Sequence, residues 1–139
     1  MRAAMHILFF CLLAGLKGLY AQPANYARDC EKYLQLPFVA DGHDYTLDLD
    51  KGVKGNFRTT FYGGGTYRVI VCSDLTQGHL VYKIYDTDKN LLFSNADHNY
   101  TPYWDFLFRS TIDCIIEVSF ESEKTAHAQI KLIIAFKNQ

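Results

Sequence analysis

The chain has 139 residues, with 14 Lys and Arg against 15 Asp and Glu, a formal net charge of −1, and 15% aromatic residues. A near-neutral chain with no basic face is not built to neutralise a phosphate backbone, so nucleic acid is not an expected partner. So many large aromatic side chains argue for a packed, strand-rich domain rather than disorder.

The first segment has the layout of a secretory signal peptide. Arg2 supplies the positive region, and residues 7–16 supply an apolar run of about 10 residues. That run is shorter than the roughly 20 apolar residues that a spanning helix needs. No later run is longer, so no transmembrane segment is expected once the signal is removed. Cleavage is expected after Ala21, with Gly18 as the alternative, and the protein is expected to be secreted or periplasmic. Residues 22–43 then form an N-terminal helix and linker, and residues 44–139 a single domain. Losing Arg2 and Lys17 leaves 12 basic against 15 acidic residues, a net charge of −3 with His neutral. Cys30, Cys72 and Cys114 remain. In an oxidising compartment one disulfide with one thiol left over is expected. All three pairings stay open, and three buried reduced cysteines are the alternative.

Residues 24–36 carry helical spacing, with Tyr26, Cys30, Tyr33 and Leu34 on one face. Cys30 then packs inward, and Pro37 stops the helix. Residues 40–43 have turn composition. From there the period becomes two. Tyr45, Leu47 and Leu49 alternate with Thr46, Asp48 and Asp50, and Phe57, Thr59 and Phe61 with Arg58, Thr60 and Tyr62. Gly63, Gly64 and Gly65 break the chain. Residues 66–73 form a strand with Tyr67, Val69 and Val71 on one side and Ile70 and Cys72 on the other, so both faces are expected to be partly covered. Residues 79–86 place Leu80, Tyr82 and Ile84 on one face. Residues 86–90 are a hairpin loop and residues 91–93 the returning strand. Residues 94–101 are polar and irregular. Pro102 opens a strand in which Trp104 shares its parity with Phe106 and Phe108. The last two strands are the clearest. Ile112, Cys114, Ile116, Val118 and Phe120 face the core, and so do Ala128, Ile130, Leu132, Ile134 and Phe136, with a polar turn at residues 121–124. About eight short strands without helical crossovers predict an all-β fold. The expected form is an antiparallel, jelly-roll-like β-sandwich with a short N-terminal helix.

The run from Gly64 through Thr66, Tyr67 and Val69 to Val71, and the run from Tyr82 through Asp86, Thr87, Asp88 and Asn90 to Leu92, resemble the strands of secreted sandwich modules. The resemblance is to bacterial pre-peptidase C-terminal-type domains and the related GOLD-like sandwiches. It implies a sandwich that is non-catalytic and serves as an accessory or cargo-binding unit. Those modules accompany an enzyme domain, whereas this chain is expected to stand alone after its signal.

The chemistry-bearing residues are few. Tyr100, Tyr103 and Trp104 adjoin the loop containing Asn95, His98 and Asn99. Aromatic faces beside amides suit a sugar ring or a peptide. Tyr100, Tyr103, Asn95, Asn99 and His98 are therefore the candidate ligand-binding residues, with Trp104 in the core as the plainer reading of its parity. Asp86, Asp88 and Asn90 set oxygens at alternate positions, as calcium prefers. The EF-hand pattern also needs a Gly after Asn90 and a later Glu, whereas Leu91 and Leu92 follow here. The plainer reading is a turn whose Asp and Asn bond their own backbone. No other cofactor is implied. His43, His79, His98 and His127 lie at no metal-ligand spacing. Cys72 and Cys114 sit within strands, and no nucleophile signature surrounds either.

These features predict an exported, non-catalytic binding or interaction domain for a glycan, a peptide or an envelope protein. The alternatives are a hydrolase whose site is assembled from loops, and a structural subunit of a surface assembly. The hydrolase needs a pocket holding His98 or His43 beside a carboxylate. The structural subunit would pair through exposed sheet edges.

Overall fold

The computed structural model describes residues 26–138, with side chains from residue 29 onward. The signal segment at residues 1–21 lies outside the described residues. Among the described residues, no helix is long and apolar enough to cross a membrane.

Among these residues one α-helix, α1 (Tyr26–Glu31), precedes nine strands. The strands are β1 (Phe38–Ala40), β2 (Tyr45–Asp50), β3 (Gly55–Phe61), β4 (Thr66–Ser73), β5 (His79–Asp86), β6 (Leu91–Ser94), β7 (Tyr103–Leu107), β8 (Ile112–Glu121) and β9 (His127–Lys137). They form two antiparallel sheets. In the first, β9 is flanked by β4, and β4 by β7. The other side of β9 is shared by two strands laid end to end, with β2 against residues 127–132 and β1 against residues 135–137. The second sheet runs β3-β8-β5-β6. β8 and β9 therefore lie in opposite sheets, and the polar turn between them crosses the sandwich.

The alternation in the sequence becomes the core. From the first sheet come Leu49, Val69, Val71, Ala128, Ile130, Leu132 and Ile134, and from the second Phe61, Tyr82, Ile84, Cys114, Ile116, Val118 and Phe120, all buried in one cluster. At one end Phe61 and Phe108 stack with ring centroids 4.4 Å apart. The β3–β4 connection shows why glycines are needed there. Gly64 has φ +83°, and a Cβ on Gly65 would stand 2.7 Å from the Tyr67 ring.

The outer face of the first sheet is also covered. Cys30 is disulfide-bonded to Cys72 on β4. Cys30, Ile70 and Ile133 form a second buried cluster, with Tyr33, Leu34, Ala40 and Tyr103 packed against it. Consecutive residues of β9 are therefore buried on opposite faces. Leu132 and Ile134 point into the sandwich, while Ile133 lies beneath the N-terminal segment. A strand covered on both faces reads as a continuous apolar run, and residues 132–136 have that character.

The helix is shorter than the spacing predicts. Only residues 26–31 are helical, and residues 24–25 lie outside the described residues. The chain closes off with i→i−3 bonds from Tyr33 N–H to the Cys30 carbonyl and from Leu34 N–H to that of Glu31. Tyr33 and Leu34 reach the sheet from this turn, and Pro37 stands beyond it. The expected linker also holds a strand, since β1 adds Phe38–Ala40 to the edge of β9.

Candidate functional site

The five residues singled out around the 94–101 loop are not gathered about one ligand. A 3₁₀ turn spans Asn95–His98, and Asn99 and Tyr100 follow with φ 54° each. Asn95 is buried and its amide is fully engaged. Its Oδ1 accepts the Tyr82 N–H at 2.9 Å, and its Nδ2 donates to the carbonyls of Leu80 at 2.9 Å and Thr101 at 3.3 Å. β6 pairs with β5 as far as Lys83 and Ser94. The Asn95 side chain therefore takes over the ladder where the strand stops, a structural task.

The other four diverge. The Tyr100 ring stacks on His79 at 4.0 Å and lines a cleft of about 240 Å³ with Asn95, Tyr33 and Cys72. Tyr103 turns to the outer face of the first sheet, beneath Tyr33 at 5.1 Å and the Arg68 guanidinium at 4.7 Å. Arg68 is itself held by both Asp105 oxygens, at 2.7 and 2.8 Å. His98 stacks on Phe93 at 5.1 Å and meets Trp104 at 4.2 Å. Asn99 is exposed. Trp104 keeps its expected inward parity by contacting Phe93, yet it is 37% exposed because β7 is an edge strand.

Two of the residues considered for calcium, Asp86 and Asn90, close a turn. The Asp86 carboxylate accepts the Asn90 Nδ2–H and the Asn90 backbone N–H, each at 2.8 Å, and these bonds hold its carboxyl below its ordinary value. Asp88 is exposed. Among the described residues, no three His, Cys, Asp or Glu side chains come together to hold a metal ion. Cys114 is a free thiol within the core, and burial, with Asp86 and Asp113 nearby, pushes it up to about 11. A thiol held protonated in this way is a poor nucleophile.

A further concave surface lies on the opposite side of the sandwich, where the β1–β2 edge of the first sheet faces the β3 edge of the second. A groove of about 570 Å³ opens there. Its floor is the inner face of the first sheet running on past the second. Phe136 follows the inward parity of Ile130, Leu132 and Ile134 but is 42% exposed. Tyr45 and Tyr67 lie on the same floor, and Tyr62 stands at the rim, 65% exposed. The polar wall carries Asp41, His43 and Arg58.

Asp41 is the most engaged of these. Its Oδ1 accepts the His43 backbone N–H at 2.9 Å, and its Oδ2 lies 3.4 Å from His43 Nδ1. Burial, and then Asp41 itself, raise the Tyr45 phenol above its ordinary value, so the hydroxyl stays protonated as a donor. No hydroxyl or thiol is hydrogen-bonded to His43 among the described residues. His98, the other histidine considered for catalysis, is surrounded by rings rather than carboxylates.

Sequence reasoning missed this groove because its parts look ordinary one at a time. Phe136 and Tyr45 carry core parity, and Arg58 and Tyr62 read as the outward half of an alternating strand. Compared with known protein families and with curated proteins, the chain matches none. What the structure defines is an antiparallel β-sandwich with a disulfide-anchored N-terminal segment and an aromatic groove along one open side.

Proposed function

We propose that the protein is an exported, non-catalytic binding module that seats a glycan in the groove between β2 and β3. The observation that carries this reading is the exposed aromatic floor and rim, with Phe136 42% and Tyr62 65% exposed beside the polar side chains of Asp41, His43 and Arg58. Aromatic faces pack against the C–H faces of sugar rings, while a few fixed polar groups select among hydroxyls. The predicted signal peptide and the Cys30–Cys72 disulfide support export, since such bonds persist in oxidising compartments. The resemblance to non-catalytic secreted sandwich modules supports a binding role. The test is a glycan array probed with mature, oxidised protein, followed by calorimetry. Tyr62→Ala and Phe136→Ala each lower the affinity about tenfold or more without lowering the melting temperature. Folded protein that binds no glycan refutes the reading.

The Asp41–His43 pair, at 3.4 Å, favours a second reading as a hydrolase. With no hydroxyl or thiol bonded to His43 among the described residues, the nucleophile there would be water. Cleavage products seen by mass spectrometry, and lost in His43→Ala, decide for this reading. An intact ligand after prolonged incubation decides against it.

A further inference from the structure

We infer that the binding site continues past the rim of the groove onto the outer face of the second sheet, and that its ligand is an acidic polysaccharide bearing carboxylates. This rests on the glycan-binding reading above. Arg58 lies on the edge strand β3, paired in register with Ile115 of β8. It lines the groove of about 570 Å³ and also a second groove of about 380 Å³ on the outer face of the second sheet, so the two openings meet at its side chain. Tyr85 lines the outer-face groove, giving it an aromatic surface like that of the first.

The charges along this path are unequal in availability. The acid in the first groove, Asp41, is engaged by His43. The acid in the second, Glu117, is held by Lys54 at 2.9 Å. The cations differ. Among the described residues no hydrogen bond or ion pair uses the side chain of Arg58, of Lys137 in the first groove, or of Lys89 in the second. Arg68 shows what a committed guanidinium looks like in this chain, with its fork closed on Asp105. The two linings together hold three cations, Arg58, Lys89 and Lys137, against two acids, Asp41 and Glu117, so the path carries a net positive charge although the chain has a formal net charge of −1.

The chemistry of these groups selects the ligand. Free cations separated by aromatic surfaces suit a chain in which carboxylates alternate with sugar rings. The guanidinium fork matches a carboxylate with two parallel bonds. A nucleic acid is gripped by many more cations than these.

The test titrates the mature, oxidised protein with oligosaccharides of galacturonate, of mannuronate and of hyaluronan, each beside its methyl-esterified, uncharged form. At least one uronate binds, and its ester binds about tenfold more weakly. Lys89→Gln loses about threefold toward the acid form and leaves binding of the ester unchanged, while Arg58→Gln loses about tenfold toward the acid form and less toward the ester. Raising the salt weakens the acid form alone. If acid and ester bind alike and both depend on Phe136, the inference is overturned and the glycan reading stands. If no uronate binds, the inference is overturned and the glycan array decides the other reading separately. If poly-glutamate or single-stranded DNA binds through Arg58 while every sugar fails, both are overturned.

Discussion

Replacing Asn95 by Ala tests whether this residue is a piece of the sheet rather than part of a binding surface. The side chain is 1% exposed and makes three hydrogen bonds to main-chain groups, at 2.9, 2.9 and 3.3 Å. Its removal leaves the buried Tyr82 N–H without an acceptor and the Leu80 carbonyl without its donor, just where β6 stops covering β5. Each such orphan costs about 1–3 kcal/mol. The longest bond, to Thr101, adds little, so the total is about 3 kcal/mol. For a domain of this size that lowers the melting temperature by about 12 °C. Urea unfolding followed by circular dichroism reads the loss as a lower midpoint with an unchanged slope. Hydrogen exchange at the Tyr82 amide reads it locally. An Asn95→Ala protein within about 1 kcal/mol of wild type, with the Tyr82 amide still protected, refutes the reasoning. The groove between β2 and β3 is lined by none of these groups, so its ligand binding survives the substitution.

Other contacts lead to further expected outcomes. Cys30→Ser together with Cys72→Ser opens a loop spanning 42 residues, which the chain-entropy account values at about 4 kcal/mol, measured by urea unfolding with Cys114 intact. The Tyr82 hydroxyl is buried without a hydrogen-bond partner, so Tyr82→Phe raises stability by about 1 kcal/mol, and a loss of that size instead shows that the hydroxyl is satisfied. His127 is raised above 6.5 chiefly by its 3.0 Å hydrogen bond to Asp50, so its stabilising effect is complete below that value and fades as pH climbs through the raised one. Proton NMR follows the imidazole titration directly, and His127→Gln flattens the melting temperature between mildly acid and mildly alkaline pH.

The strands were legible because alternation is a local property. The bounds of β4 and β5 follow from their flanking turns, and the buried faces of β8 and β9 from their unbroken parity. Which strand pairs with which is not local. The turn after Glu121 has the composition of a hairpin, yet β8 and β9 separate into opposite sheets. β1 is only three residues long and follows Pro37, leaving no period to detect. Asn95 misled for a different reason. A polar residue in a polar loop resembles surface, and nothing in the sequence reveals that an amide side chain can continue a ladder. The free cations Arg58, Lys89 and Lys137 stand far apart along the chain, so no basic face is visible until β3, the β5–β6 turn and the end of β9 are set beside one another. Phe136 has the right parity for the core and lies at the end of a strand that outruns its covering sheet.

The Cys30–Cys72 bond also decides how the molecule carries load. Tension applied to the chain ahead of Cys30 does not begin at the edge of the first sheet, where β1 and β2 can be unzipped from β9 one bond at a time. The disulfide delivers it to β4, an interior strand bonded to β9 on one side and β7 on the other. Two ladders must then slide together before anything separates. While the bond is oxidised the sandwich resists pulling as a block, and reduction moves the point of entry to the short edge strand β1.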